Sequence, residues 1–122
     1  MNVLVIGANG TTGRKIVQIL ADSAEHTVTA MVRKEEQMEK MEQLGSKPIL
    51  ADLEENFEFT MKQVNAVVFA AGSGPDTEKD KTTAIDENGA KKSMDYAKKH
   101  QIERFILFLS QGSFGIRRAF FF

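Results

Sequence analysis

The sequence predicts an α/β protein with a doubly wound parallel sheet of about five strands and helices on both faces. Short apolar runs rich in β-branched residues alternate along the chain with segments of helical spacing. A glycine-rich turn, Gly7-Ala8-Asn9-Gly10-Thr11-Thr12-Gly13, joins the first apolar run to the first helical segment. Right-handed crossovers between parallel strands then favour a sheet that binds its ligand at the carboxyl ends of the strands.

Five strands and three helices follow from this alternation. The apolar runs predict strands at residues 3–6, 27–32, 48–51, 64–70 and 104–109. Apolar residues recur at helical spacing over residues 16–21, so a first helix is expected after the glycine turn. Residues 34–44, which are ended by Gly45, predict a second helix, and residues 81–100 predict a third.

Composition restricts the class of protein. The chain has 122 residues, of which 42% are apolar and 27% charged, which is the balance of one globular domain. A net charge of -1 lacks the basic surface that nucleic-acid binding needs, and no apolar run approaches the roughly 20 residues of a membrane span. Because the chain also lacks cysteine and a secretion signal, a cytoplasmic protein that binds neither membrane nor nucleic acid is expected.

The character of the chain changes near its end. We expect residues 1–109 to form a nucleotide-binding domain and residues 110–122 to be an atypical tail. The tail ends in Phe120-Phe121-Phe122, which is apolar area that a free segment does not keep in water without a risk of association. We therefore expect an abnormal or truncated end, with the C-terminal part of the fold missing, and a homodimer formed through the uncovered edge.

The glycine turn predicts a phosphate cradle. Gly7, Gly10 and Gly13 allow a tight turn whose backbone lies against a pyrophosphate, while the first N–H groups of the following helix point at the anion. Asn9 and the hydroxyls of Thr11 and Thr12 are expected either to fix the loop or to contact phosphate. The alternative is that the glycines only allow the helix and the strand to pack closely.

The residue after the second strand distinguishes the two dinucleotides. An acidic residue about 20 positions beyond the last glycine would bind the ribose 2′-hydroxyl of NAD. Here Arg33 occupies that position and Lys34 follows it, so the sequence favours the 2′-phosphate of NADP. In the alternative interpretation, both cations belong to a solvated helix start and are neutralised by Glu35 and Glu36.

Two further strand ends carry candidate cofactor contacts. Asp52 and Leu53 close the third strand, where the carboxylate could accept from the adenine amine and the leucine could pack on the ring; Asp52 could equally cap the next segment. The small residues Ala70, Ala71 and Gly72 end the fourth strand and would let the cofactor lie close. Close packing without a ligand would require the same small residues.

No residue of the sequence indicates metal binding or acid–base chemistry. His26 and His100 fall at predicted helix ends away from the ligand edge, where a solvated or dipole-compensating role is expected. The methionines fit core filling better than ligation of a metal. We therefore assign no metal site and no catalytic residue.

The motifs together resemble the atypical short-chain dehydrogenase/reductase group, which includes NmrA-like regulators and flavin or biliverdin reductases. The resemblance covers most of the chain up to about Leu109 and rests on five segments: VIGANGTTGR (residues 5–14), AMVR (30–33), ADL (51–53), AVVFAAG (66–72) and IDENGA (85–90). It implies a Rossmann fold in which the glycine loop binds the pyrophosphate, the basic residue binds the 2′-phosphate, and the small residues after the fourth strand line the nicotinamide side.

The departures from the family affect the chemistry. Members that use a Tyr-x-x-x-Lys pair carry it after the fifth strand, whereas Tyr96 precedes that strand and is followed four residues later by His100. Ser110 gives only a partial match to the serine that ends the fifth strand in the family. Family members are also longer and add a substrate-binding region, so the resemblance implies an incomplete substrate pocket.

The sequence thus predicts the cofactor-binding portion of an NADP-dependent oxidoreductase or epimerase-like protein, with an unknown small-molecule substrate. In this interpretation the cofactor supplies any hydride. Two alternatives remain: a non-catalytic NADPH sensor that acts on a protein partner, and an inactive truncated fragment.

Overall fold

A six-stranded sheet sets the architecture of the computed structural model. The structure describes the backbone of residues 1–70, 79–110 and 116–121, and the side chains of residues 1–70 and 88–107. The strand order is β3-β2-β1-β4-β5-β6, in which the first five strands are parallel and β6 runs antiparallel to β5. The strands are β1 (Asn2–Ile6), β2 (Thr27–Val32), β3 (Lys47–Leu50), β4 (Ala66–Phe69), β5 (Arg104–Ser110) and β6 (Ile116–Phe121).

Three α-helices connect the parallel strands: α1 (Thr11–Ala21), α2 (Met38–Gln43) and α3 (Lys79–Lys99). Short 3₁₀ turns occupy Glu35–Gln37, directly before α2, and Glu58–Met61, between β3 and β4. The doubly wound parallel sheet predicted from the sequence is therefore confirmed, and β2 has its predicted bounds. The predicted second helix is divided into a 3₁₀ turn and α2. Gly45 follows the end of α2 and has a left-handed conformation, with φ of 96°.

The sixth strand lies outside the sequence prediction, because residues 116–121 fall in the segment described there as an atypical tail. In the structure these residues pair with β5 from Ile106 to Ser110, with an irregular register between Leu109 and Ser110. The pairing hydrogen-bonds the outer side of β5, so the backbone of that strand has a neighbour on both sides.

The sheet is covered on both faces, as a parallel sheet requires. On one face, Val3, Val5 and Val17 belong to a cluster that α1 and α2 cover. On the other face, Leu4, Ile6 and Phe105 belong to a cluster that α3 and the 58–61 turn cover. Because neighbouring residues of β1 point to opposite faces, the apolar run of this strand is buried throughout and joins both clusters.

The strand order places a crevice between β1 and β4. From β1 the chain moves outward through β2 to β3, and then returns across the sheet to β4 on the opposite side of β1. The registers align the carboxyl ends of neighbouring strands, since Ile6 of β1 lies opposite both Met31 and Phe69. Loops that leave adjacent strands in opposite directions open a ligand-binding crevice at this switch point.

The 58–61 turn is held to the end of α3 by a small charged group. Glu58 accepts a hydrogen bond from Lys99 Nζ at 3.0 Å, and its other carboxylate oxygen lies 3.3 Å from Nε2 of His100. The hydrogen bond from Lys99 is the main cause that lowers the pKa of Glu58; desolvation opposes the shift and His100 adds to it.

Glu58→Gln is expected to lower the melting temperature at pH 7, because the ionised carboxylate is favoured in the folded chain. Since the folded pKa lies below the ordinary value of 4.5, this stabilisation is present above that value and is lost as pH falls through the folded pKa. Thermal unfolding from pH 7 downward measures the difference. Glu54→Gln is the control, because Glu54 forms no ion pair in the described part of the chain. If the melting temperatures of the parent chain and of Glu58→Gln differed as much at acidic pH as at pH 7, the expected loss of stabilisation by the carboxylate would be contradicted.

Candidate cofactor site

The glycine turn leaves β1 at the edge of the crevice. Gly7 follows Ile6 directly and has a φ of 78°, a left-handed conformation that glycine adopts without strain. The N–H of Gly10 donates to the carbonyl of Gly7 at 3.2 Å, and the N–H of Arg14 donates to the carbonyl of Gly10 at 2.9 Å. These two bonds bring the chain from the strand into α1 within a few residues.

Gly13 and Gly10 serve different purposes. A Cβ on Gly13 would lie 2.0 Å from the carbonyl oxygen of Gly7 and 2.8 Å from Cα of Ala8, so the fold itself requires glycine there. Among the described residues, a Cβ on Gly10 would meet only the Gly7 oxygen, at an ordinary 3.6 Å. Gly10 also has a φ of -73°, which any residue adopts. The described part of the chain therefore does not need glycine at position 10, and no described residue fills the outer face of Gly10, which is exposed.

The first turn of α1 is prepared for an anion. Its N-cap residue is Gly10, which has no side chain to cap the helix, and the turn carries no acidic residue. Among the hydrogen bonds of the described residues, none uses the N–H groups of Thr11, Thr12 or Gly13. Free N–H groups at the positive end of the helix dipole attract a phosphate.

Arg14 is a member of this loop that the sequence analysis did not select. Its Nη2 donates to Oδ1 of Asn9 at 2.7 Å, so the side chain of Asn9 is held across the turn. Thr11 is exposed and Thr12 is half-buried beside it. The signal for Arg14 was its position directly after the third glycine, which places a cation in the first turn of the helix.

Arg33 and Lys34 leave β2 at the same edge of the sheet, and both side chains are exposed. Their backbone N–H groups donate to Oε1 of Gln37, each at 3.2 Å. No carboxylate of the described chain lies within ion-pair distance of either cation, so Glu35 and Glu36 do not pair with them. Gln37 was missed by the sequence analysis, although its place three residues after the N-cap of a helical turn is a known capping position.

Asp52 and Leu53 follow β3, and both are half-buried. Asp52 Oδ1 accepts from the N–H of Glu54 at 2.9 Å, and the Asp52 carbonyl accepts from Glu55 at 3.1 Å, so Asp52 closes a local turn. It caps no helix, because the next helical turn begins at Glu58 with Phe57 before it. The side chain of Leu53 packs against Gly89 of α3. Contact of these two residues with adenine remains a prediction.

The end of β4 lies beside the glycine turn. Ala70 is buried, and its N–H donates to the carbonyl of Ile6 at 2.8 Å. This bond brings the fourth strand to the crevice at the point where β1 ends. Ala71 and Gly72, like the side chain of Ser110, lie outside the described residues.

The tyrosine and the histidines lie in other parts of the fold. The ring of Tyr96 meets the ring of Phe57 edge to face, with 4.9 Å between the centroids, within the cluster under α3. His100 contacts Glu58, and His26 precedes β2 at the amino end of the sheet. None of the three lies at the carboxyl edge where the glycine turn, Arg33 and Asp52 meet. Within the described residues, no helix combines the length and apolarity that a bilayer crossing requires.

Comparison with known proteins identifies the ligand class. The sequence profile of a family described as NAD(P)H-binding matches residues 7–121. The chain is 42% identical over 110 residues to the "uncharacterized sugar epimerase YhfK" of Bacillus subtilis, covering 88% of this chain and 51% of that protein. It is 33% identical over 110 residues to the photosystem II assembly factor Ycf39 of Cyanophora paradoxa, covering 88% of this chain and 34% of that protein.

Solved structures give the same result. A Bacillus halodurans protein, provisionally named an NAD-dependent epimerase/dehydratase, superposes with a TM-score of 0.83 at 45% identity over 93% of this chain and 53% of that one. The yeast reductase Gre2, solved with NADPH, superposes at 0.71 with 24% identity over 88% of this chain and 36% of that one, which supports the fold alone. The chain therefore spans about half the length of its nearer relatives in these comparisons.

Substitution of Gly13 and of Gly10 tests which of the two glycines the fold requires for its stability. Gly13→Ala is expected to destabilise the chain by about 3 kcal/mol or more, because its Cβ would overlap the β1 exit. Gly10→Ala is the matched variant and should change the free energy of unfolding by less than about 1 kcal/mol. Urea denaturation measures both, and equal losses would contradict the assignment of different roles.

Proposed function

The chain belongs to the NAD(P)H-binding family, and from that premise we propose that it binds NADP(H) in preference to NAD(H). We propose further that it is the cofactor-binding portion of an oxidoreductase or epimerase-like protein. The observation that carries this proposal concerns the described residues: none of them fills the face of Gly10, bonds the first N–H groups of α1, or pairs with the exposed cations Arg33 and Lys34 at the same end of the sheet.

The pyrophosphate would lie against Gly10. Its charge would be stabilised by the N–H groups of Thr11, Thr12 and Gly13 at the positive end of the α1 dipole. A glycine that the fold does not require, at the place where a Cβ would fill the cradle, supports close approach by a ligand. Arg14, tied to Asn9, adds a cation to the same turn.

The 2′-phosphate would bind at the end of β2. Arg33 offers a planar fork of donors and Lys34 a compact charge, and neither has a carboxylate partner among the described residues. Gln37 holds the backbone of both residues, so less freedom would be lost when the side chains bind. The Bacillus halodurans relative is named for NAD, which makes NAD(H) the rival ligand.

The reaction class follows the names of the relatives. The two Bacillus proteins carry epimerase or epimerase/dehydratase names, and epimerisation and reduction both use the nicotinamide ring. When bound, the cofactor would supply or accept a hydride. This chain's part would be to hold the pyrophosphate at Gly10 and to let the cofactor pass closely over Ala70, Ala71 and Gly72.

A binding protein that senses NADPH without turnover is the second candidate. It is favoured by the position of Tyr96, which packs on Phe57 in the core instead of at the crevice. Both candidates use the same cofactor site. An assay with NADPH and a carbonyl substrate separates them, because reduction of the substrate would establish turnover.

Gly10→Val tests the pyrophosphate cradle. The side chain would occupy the face on which the ligand lies, so the dissociation constants for NADPH and NADH should both rise, by about a hundredfold or more. Calorimetric titration measures this, with circular dichroism as the check that the variant is folded. Normal binding by a folded Gly10→Val variant would mean that the turn is only structural.

Arg33→Ala tests the cofactor preference. The variant should bind NADPH about tenfold to a hundredfold more weakly and NADH almost unchanged, because only NADPH carries the 2′-phosphate. Arg104→Ala is the charge-matched control, since Arg104 begins β5 and so lies at the amino ends of the strands, away from the proposed site. Equal losses for the two dinucleotides would refute the 2′-phosphate role while leaving cofactor binding itself intact.

A further inference from the structure

We propose that Lys92 of α3 is a positioning residue for the adenine end of the cofactor. Residues 52–57, called here the adenine loop, connect β3 to the 58–61 turn and begin with Asp52 and Leu53. Lys92 fixes this loop on the sheet edge without touching the ligand. The inference rests on the proposed function, because it assumes that the cofactor lies across the carboxyl ends of the strands.

The ammonium group of Lys92 binds the backbone of the loop at two points. Nζ donates to the carbonyl of Leu53 at 2.9 Å and to the carbonyl of Glu55 at 3.0 Å, across 39 and 37 positions of sequence. Hydrogen bonds from a charged donor are stronger than those between neutral groups. One side chain therefore sets the path of the loop between these two carbonyls.

The ammonium group of Lys92 also lies over the ring of Phe57, at the end of the loop. Nζ of Lys92 is 5.9 Å from the centroid of the Phe57 ring, within the range of a cation–π contact. Phe57 is fully buried and is braced by Tyr96 from the next turn of α3. The end of the loop is thus anchored in the core, and Lys92 connects its middle to that anchor.

Gly89, one turn earlier on α3, receives the side chain of Leu53. A Cβ at position 89 would lie 3.1 Å from one methyl group of Leu53 and 3.2 Å from the other, so any larger residue at position 89 would push Leu53 away from the helix. Ser93 donates from Oγ to the Gly89 carbonyl at 2.5 Å and is itself buried. Gly89 and Lys92 together determine where Leu53 stands.

The bonds that lie within the loop do not place it on the sheet. Among the described residues, Asp52 bonds to Glu54 and Glu55 alone, which fixes a local turn. No cation of the described residues, Lys92 included, lies within ion-pair distance of the Asp52 carboxylate. Lys92 instead donates to the two backbone carbonyls. The Asp52 carboxylate keeps acceptor capacity for the exocyclic amine of adenine.

The test is a double-mutant cycle between Lys92 and Asp52 on the 122-residue chain. Lys92→Met keeps the length of the side chain and removes the donors, and Asp52→Ala removes the proposed acceptor. The probes are NADPH and adenosine 2′,5′-bisphosphate, which carries the adenine end without nicotinamide. Lys91→Met is the matched control, because Lys91 is the exposed neighbour on the same helix.

Lys92→Met is expected to weaken the binding of both probes about tenfold, and Lys91→Met is expected to change the binding of neither. In the Asp52→Ala background, Lys92→Met should cause a smaller loss than in the parent chain, because part of its effect passes through the placement of Asp52 and the rest through Leu53. A side chain that only stabilises the fold would lower the melting temperature without this non-additivity. Gly89→Ala, which displaces Leu53 without changing charge, should also weaken the bisphosphate and serves if Lys92→Met does not fold.

The outcomes separate the two proposals. If the parent chain binds NADPH and Lys92→Met binds like Lys91→Met, the positioning role is overturned and the proposed function stands. Additive losses in the cycle, or an Asp52→Ala variant that binds both probes normally, also overturn it. If the parent chain binds neither probe, the proposed function fails and the inference fails with it.

Discussion

The close approach of α1 to the exit of β1 is the constraint on which the site depends. Gly13 lies so near the Gly7 carbonyl that no side chain fits between them. This contact brings the start of the helix against the end of the strand, where no hydrogen bond of the described residues uses the N–H groups of the first turn. The packing requirement at Gly13 therefore shapes the proposed anion site, and no described residue fills the face of Gly10 where the ligand is proposed to lie.

The parallel sheet then collects the other candidates at one edge. Because β1, β2, β3 and β4 all end on the same side, the turns after them bring Gly10, Arg33, Asp52 and Ala70 to a common crevice. Each position is fixed by backbone bonds of its own, such as those from Arg33 and Lys34 to Gln37. Family membership in the NAD(P)H-binding proteins agrees with this arrangement. The proposed preference for NADP rests on Arg33 and Lys34, which have no carboxylate partner among the described residues.

The second face of the sheet contributes through α3. This helix covers the cluster around Phe105 and also contacts the loop after β3 through Gly89 and Lys92. At the C-terminal end of α3, Lys99 and His100 contact Glu58 of the 58–61 turn. One helix thus joins the core to the candidate adenine end of the crevice, and this links the packing of the sheet to the shape of the proposed site.

The sequence by itself determined the parallel strands, the glycine turn and the strand-end positions, because apolar runs, helical spacing and glycine placement are local properties of the chain. It predicted β2 at its bounds, yet it gave no strand for residues 116–121, whose pairing with β5 is a tertiary contact. Only the tertiary structure decided that Gly13 is required and Gly10 is not, or that Lys92 reaches Leu53. The glycine spacing places Gly7 and Gly13 in one motif without saying which glycine the packing requires, and no spacing rule connects Lys92 to Leu53, since both depend on how helices pack on the sheet.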